Sequence, residues 1–334
     1  MNISVATLEK STTDNHLSDL LVKPVATVVI TTRNRKDDIC KAIESVLRQT
    51  IPAEILVMDD DSEDGTASMV SATFPSVRVV RSETRLGLIV QRNKAAGMAR
   101  GEFIFSLDDD AVYMEPDILE RVVALFDNPR VGAVAMPGVN VVDGRRIQMG
   151  AKSPQESIFW ITNTYIGFAH AVRRDLFLKL GGYEGALFQW GEEENYCQKL
   201  YANGYVVRIA DCGITEHYPN PVGRHTRAKN VWIYRNSILN IWFYAPLWLV
   251  PALWSATGAR FLLFGVKKPR ELPIVMEGLA RGLWWAVTHP SSRNPVGFQN
   301  YIMYMRLRAA KVTPFSTVQN RLPELKPLRE SPGF

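Results

Sequence analysis

Cysteine is scarce in this sequence: Cys40, Cys197 and Cys212 are the only three in 334 residues, and no two stand in a CxxC pair. Isolated thiols exclude a disulfide framework and a cysteine-ligated zinc site, and they fit a reducing compartment. Lysine and arginine never gather into a block, and no nucleic-acid-binding motif is present. The formal charge of +5 and the pI near 9.0 are too mild to indicate a nucleic-acid partner, although they suit an anionic ligand or an anionic membrane face. The opening stretch MNISVATLEKSTTDNHLSDL has no apolar core segment and does not read as a signal peptide, so residues 1–24 are expected to be a flexible lead-in. With 46% hydrophobic and 22% charged residues, the composition excludes a disordered or multi-span membrane chain, and the length allows one large or two modest domains.

What is present is an alternation of two hydrophobic periods. Ala26 to Thr31 is a β-branched run of strand length, and Lys36 to Gln49 follows with Ile39, Ala42, Ile43, Val46 and Leu47 at helical spacing. The pattern repeats: strands at Glu54–Met58, Val77–Val80 and Gly101–Leu107, helices at Thr66–Ala72 and Leu88–Arg100. This predicts right-handed βαβ units and an α/β, Rossmann-like, mostly parallel sheet flanked by helices. In such sheets ligands bind beyond the carboxyl ends of the strands. Thr31-Thr32-Arg33-Asn34-Arg35, Asp59 to Asp64, and Asp108-Asp109-Asp110 each follow a predicted strand, so all three clusters should line one rim.

The three adjacent aspartates repel one another and resist ionising together, which points to a bound divalent cation; a solvated acidic cap on the next helix is the plain alternative. Further on, Pro116–Asn128 reads as a helix, Val131–Met136 as a strand, residues 137–157 as loop-rich, and 169–180 as a strand running into a helix. Glu192, Glu193 and Glu194 open a helix that stops at Asn203-Gly204, where they complement the helix dipole whether or not they do chemistry. Asn236 to Ala259 carries no charged residue over 24 positions, and it holds Trp242, Trp248 and Trp254 together with Pro246 and Pro251. Its length would allow a membrane span, but scattered tryptophans and prolines fit an interfacial segment better, and a buried helical hairpin is the alternative. Arg260, Lys267, Lys268, Arg270 and Arg281, with Trp284 and Trp285, could hold it on an anionic leaflet, so a peripheral membrane contact through 236–285 is expected.

Four segments, VVITTRNRKDDICKAIESVLRQT, EILVMDDDSEDGT, RLGLIVQRNKAAGMARGEFIFSLDDD and GGYEGALFQWGEEENYCQKLYANGYVV, stand in an order that resembles the family 2 glycosyltransferases, inverting enzymes of GT-A fold that use nucleotide-sugar donors. The resemblance runs from about Thr27 to Tyr218. It implies a GT-A catalytic domain over 25–222, followed by a helical aromatic and basic region over 223–313 and an extended tail over 314–334.

Carried over residue by residue, the resemblance implies that Asp59 and Asp60 contact the nucleoside, and that Thr32, Arg33, Asn34 and Asp109 lie on the donor side. Asp108 and Asp110 would be the DxD carboxylates holding Mg²⁺ or Mn²⁺. His217 stands where relatives place a histidine near the metal and diphosphate, and Arg92 is a candidate for the nucleotide or its phosphates. Glu193 takes the place of the family's general base, an Asp in most members, and Glu192 that of the preceding acceptor-orienting Glu. Thr31 and Arg33 replace the Pro and Tyr common in the opening motif, which leaves UDP as first choice of nucleotide with dTDP and GDP open. The expected activity is transfer of a sugar to a lipid-linked or polysaccharide acceptor in cell-surface glycan synthesis, on the cytoplasmic side and peripheral to the membrane. Alternatives are a catalytically degenerate nucleotide-sugar binder, or a sugar nucleotidyltransferase; the lack of glycine in Thr31-Thr32-Arg33-Asn34 counts against the latter.

Overall fold

The computed structural model describes residues 23–155, 157–219 and 226–325. The expected lead-in to residue 22 and the end of the tail from 326 lie outside these. The first half follows the predicted alternation: β1 (Ala26–Thr32), α1 (Ile39–Leu47), β2 (Ala53–Asp59), α2 (Thr66–Thr73), β3 (Arg78–Arg81), α3 (Leu88–Met98) and β4 (Phe103–Asp108). Strands β3, β2, β1 and β4 are neighbours in parallel register. Val28, Ile30, Leu56, Val57 and Phe105 are fully buried between the helical layers. Each such side chain is worth about 1.5–3 kcal/mol relative to exposure, which is why a continuous apolar run, not an alternating one, makes these strands.

The register sets the rim. Thr32 lies opposite Asp59, and Thr31 opposite Asp108, so the three polar clusters predicted to share one edge do so.

Beyond β4 come β5 (Ala111–Tyr113), α4 (Ile118–Ala124), β6 (Val131–Ala135), β7 (Gly138–Val142), β8 (Arg145–Met149), β9 (Trp160–Thr162), β10 (His170–Arg173) and α5 (Arg174–Lys179). Strand β10 inserts antiparallel between β4 and β6, so the sheet is parallel at one side and mixed at the other. The stretch expected as loop over 137–157 instead contains the β7–β8 hairpin. Its turn is Asp143-Gly144, with φ of 50° and 72°, the positive pair a two-residue turn requires. The hairpin joins β5 and β12 (Thr215–His217) in a separate four-stranded sheet of order β5-β12-β7-β8.

Helix α6 (Glu192–Ala202) and β11 (Val206–Ile209) complete the first unit; α7 (Thr226–Tyr244), α8 (Val250–Lys267), α9 (Leu272–Thr288) and α10 (Phe298–Ala310) follow. The uncharged run is not one segment. Asn236 to Tyr244 ends α7 with Ile238, Leu239, Phe243 and Tyr244 buried, and the chain breaks at Ala245-Pro246 before α8, most of which is solvent-facing. Helix α8 and the turn before it, Leu247–Lys267, are long and apolar enough to cross a membrane by length and composition. The described part of the tail expected to be extended from residue 314 instead folds back: β13 (Val312–Pro314) pairs with β9, Phe315 stacks on Phe159, and Val318 and Leu322 are buried.

Candidate active site

The first two rim loops are latched together. The backbone N–H of Asn34 (φ 54°) donates to Ser62 Oγ at 2.9 Å, Asn34 Oδ1 accepts from Glu63 N at 2.8 Å, and Lys36 N donates to Asp64 Oδ2 at 3.2 Å. Asp59 is fully buried; its Oδ1 accepts from Ser62 N at 2.8 Å, while Oδ2 has no hydrogen-bond partner among the described residues. A buried acceptor of this kind is costly unless a ligand fills it. Asp60, expected beside it as a nucleoside contact, is instead committed within the protein. It accepts from Leu86 N at 2.7 Å, Gly87 N at 3.0 Å and Gln91 Nε2 at 2.8 Å, and so fixes the start of α3.

The small sheet builds the next wall. Because β12 pairs with β5 with His217 opposite Ala111, the imidazole comes beside Asp110, Nε2 to Oδ1 at 2.9 Å. Strand β7 places Asn140 opposite His217, and Asn140 Oδ1 lies 2.7 Å from His217 Nδ1, an arrangement that orients the ring; Phe168 stacks on its face at 4.5 Å. Asp108, Asp110 and His217 each offer a ligand atom, all within 4.8 Å of one another. Two carboxylates and an imidazole suit Mg²⁺ or Mn²⁺. Asp109 is pushed up to about 8, first by burial and then by Asp110 alongside, with the Thr32 hydroxyl and Arg35 pulling the other way.

Arg92 joins this wall to the acidic helix. Its side chain is almost wholly buried; Nη2 donates to Asp108 Oδ1 and to Gly167 O, both at 2.9 Å, and Nη1 stands 3.9 Å from Glu192 Oε1. Nη2 is thus engaged within the protein, while the buried Nη1 has no hydrogen-bond partner among the described residues and leaves the expected contact with nucleotide or phosphate open to it. Gly167 is required by this packing: a Cβ there would lie 2.6 Å from Glu193 Oε1 and 3.4 Å from Arg92 Nη1. Glu192 and Glu193 are both raised above the usual carboxylate range. Burial is the first cause for each; for Glu193 the neighbouring Glu192 adds to it, and Arg92 opposes it in both. One guanidinium thus faces Asp108, Glu192 and Glu193, a deficit that a divalent cation at Asp108 and Asp110 would relieve.

The loop before α6 is held under strain. Phe188, Trp190 and Gly191 have φ of 59°, 70° and 91°. Positive φ at Phe and Trp costs about 1–3 kcal/mol each and persists only where surrounding contacts impose it. Asn236 on α7 supplies them: its buried Nδ2 donates to the carbonyls of Leu187, Gln189 and Trp190 at 3.0, 2.8 and 2.7 Å. Below it, Asn195 Nδ2 donates to Asn240 Oδ1 at 2.8 Å, and Tyr244 O–H to Asn195 Oδ1 at 2.9 Å. Replacing Asn236 by Ala should lower unfolding free energy by about 1–3 kcal/mol and reduce kcat on the order of tenfold or more through misplacement of the α6 carboxylates. Urea denaturation and initial rates with saturating donor check the two effects separately.

Asn236, Asn140, Gly167 and His170 escaped sequence reasoning. His170 is buried against Tyr165 and bonded to Tyr183 O–H at 2.9 Å; burial, with Arg92 nearby, pulls it down to about 3 and keeps it neutral beside the guanidinium. Only Asn236, at the head of the uncharged run, had a visible signal.

Residues 27–181 match the family described as Glycosyl transferase family 2. They form a domain of that family. An uncharacterized glycosyltransferase of Haemophilus influenzae is 30% identical over 168 residues, 48% of this chain and 56% of its own length. A succinoglycan biosynthesis protein of Rhizobium meliloti is 37% identical over 131 residues, 38% of this chain and 37% of its own. The chain therefore spans about half or less of these curated relatives. Among solved structures, S. aureus TarS 1-349 in complex with UDP-GlcNAc superposes with a TM-score of 0.58 at 18% identity, covering 88% of this chain and 90% of that one. A Pyrobaculum calidifontis mannosyltransferase in complex with GDP-Man and Mn²⁺ gives 0.53 at 21% identity, covering 90% and 84%. These likenesses show the fold, which is GT-A. The matched residues end before the acidic helix, so Glu192, Glu193 and His217 stand outside the match but inside the same spatial site.

Proposed function

We propose that the chain is a metal-dependent inverting glycosyltransferase that moves a sugar from a nucleotide-sugar donor, a UDP-sugar first, to an acceptor hydroxyl in cell-surface glycan synthesis. The observation that carries this reading is that Arg92 ties the metal-binding type of carboxylate, Asp108, to the glutamates of α6 within one buried network. Asp59 Oδ2 is free to accept a hydrogen bond from the nucleoside. Asp108, Asp110 and His217 would hold Mg²⁺ or Mn²⁺, which when bound offsets the charge that develops on the departing diphosphate. Glu193 removes the acceptor hydroxyl proton as that oxygen attacks the anomeric carbon, the bond to the diphosphate breaks, and the anomeric configuration inverts. Glu192, partnered by Arg92, orients the acceptor and keeps Glu193 basic.

The neighbouring folds support a nucleotide-sugar donor: structures of TarS hold UDP or UDP-GlcNAc, and GalNAc-T7, with a TM-score of 0.55 at 20% identity, holds UDP, GalNAc and Mn²⁺. Relatives named for succinoglycan and teichuronic acid biosynthesis support a polysaccharide or lipid-linked acceptor. The solvent-facing apolar sides of α8 and α9 support peripheral contact with the inner membrane face. A thermal-shift screen of UDP-, dTDP- and GDP-sugars with and without Mn²⁺ tests the donor half. One donor at about a hundred times its Kd should stabilise the fold by about 2.7 kcal/mol, a rise of about 5 °C or more, and only when metal is present. Equal stabilisation without metal would remove the metal-dependent reading.

A further inference from the structure

Behind the strained loop lies a cavity of about 250 Å³, distinct from the carboxylate network. Helices α6, α7, α8 and α10 enclose it, and Trp190, Glu194, Asn240, Arg260, Tyr301 and Arg308 are among its walls. Glu193 faces Arg92 and Gly167, whereas Glu194, the next residue on the helix and so rotated by about 100°, faces this cavity. Arg308 Nε pairs with Glu194 Oε1 at 3.0 Å, and Arg260 also faces that carboxylate, so two guanidiniums meet one acid and the lining is left with one excess positive charge. The buried Trp190 Nε1 in the same wall has no hydrogen-bond partner among the described residues.

The cavity also stands next to an apolar surface. Arg260 and Thr257 reach it from α8, while Leu263 and Val266 of the same helix are 63% and 64% exposed and Trp248 just before it is 67% exposed. From Asn236 to Arg270 there is no Asp or Glu, and Arg260, Lys267, Lys268 and Arg270 are the charged residues. An exposed apolar helix face whose own segment carries only cations, with a cavity of excess positive charge opening at its edge, suits an apolar chain that ends in phosphate.

We propose that this cavity receives the phosphate of an amphiphilic acceptor through Arg260 and Arg308, with the apolar chain lying along α8 at a lipid surface. As an acceptor subsite this rests on the proposed transferase activity; as a binding site it does not. The cavity adjoins Gly191, the residue before Glu192, which sets a group anchored there beside the first turn of α6.

Flotation of the full chain with neutral phosphatidylcholine vesicles tests this, the vesicles carrying an equal mole fraction of farnesyl phosphate, farnesol or phosphatidylglycerol. Retention should be highest on farnesyl phosphate. Arg260→Gln, at an exposed position, should lower retention by about fivefold, the factor for about 1 kcal/mol per surface cation. Arg308→Gln serves as the second variant, with circular dichroism confirming that each is folded. Equal retention on farnesol would leave only an apolar contact, and equal retention on phosphatidylglycerol only a general anionic surface. Displacement by millimolar inorganic phosphate would make the site one for free phosphate. Any of these, or an unaffected Arg260→Gln, overturns the proposal. Glu193→Gln should float like the unaltered chain. Binding to farnesyl phosphate with no stabilisation by any nucleotide sugar would keep the site and remove the transferase reading.

Discussion

Glu193→Gln should reduce sugar transfer by about 10²–10⁴-fold while leaving donor binding intact, because the amide keeps the shape of the side chain but cannot take the acceptor proton. Thermal stability should not fall, and should rise at alkaline pH. The sign follows from the raised affinity of Glu193 for its proton. Buried beside Glu192, it is displaced from 4.5 to about 8, so the folded state binds a proton that the unfolded state has already released between those values. Stability therefore declines as pH rises across that window, and a permanently neutral glutamine escapes the decline. The same displacement sets the activity profile: kcat/KM should climb with pH to a limb near 8, well above that of an ordinary glutamate. Glu192→Gln should move the limb down, since the neighbouring negative charge is a cause of the rise. If Glu193→Gln transfers at an unaltered rate, the base is another residue, and Glu192 is the next to test.

The rim was legible in the sequence because it depends on two local facts, where a β-branched run ends and that parallel strands end on one side. Thr32, Asp59 and Asp108 obey both, and the strand register brings them together. The second sheet was missed although Asp143-Gly144 is a strong hairpin signal; the flanking Val141-Val142 and Arg145-Arg146 do not alternate, which masks the strands. The uncharged run from Asn236 misled differently. Composition alone cannot distinguish an apolar face turned inward from one turned outward, and here Ala245-Pro246 divides a buried half on α7 from an exposed half on α8. Least legible was the wiring between sites. That Asp60 anchors α3 and that Asn236 restrains residues 187–190 are consequences of packing between elements 31 and 49 positions apart in sequence at the widest, which no local pattern records.

Arg92→Met should be the most damaging single change, in fold and in activity together. Methionine fills much of the volume but strands Asp108, Glu192 and Glu193 around a neutral side chain. Removing one partner of a buried ion pair costs about 3–5 kcal/mol, and the lower end applies here because Asp108 retains partial solvent contact. The loss should be greater at pH 9 than at pH 5, as protonated glutamates tolerate the missing charge and ionised ones do not. Arg92→Lys would not restore the site, because an ammonium cannot reproduce the planar fork that serves Asp108, Gly167 O and Glu192 at once. A purely structural arginine would lower stability and leave the pH profile of the surviving activity in place. Arg92 opposes the rise at Glu193, so its removal should carry the activity limb upward, opposite in direction to Glu192→Gln. Stopped-time transfer assays from pH 6 to 10 on the two variants decide the matter: opposite displacements establish Arg92 as the residue that holds the base ionised, and coincident limbs refute that role.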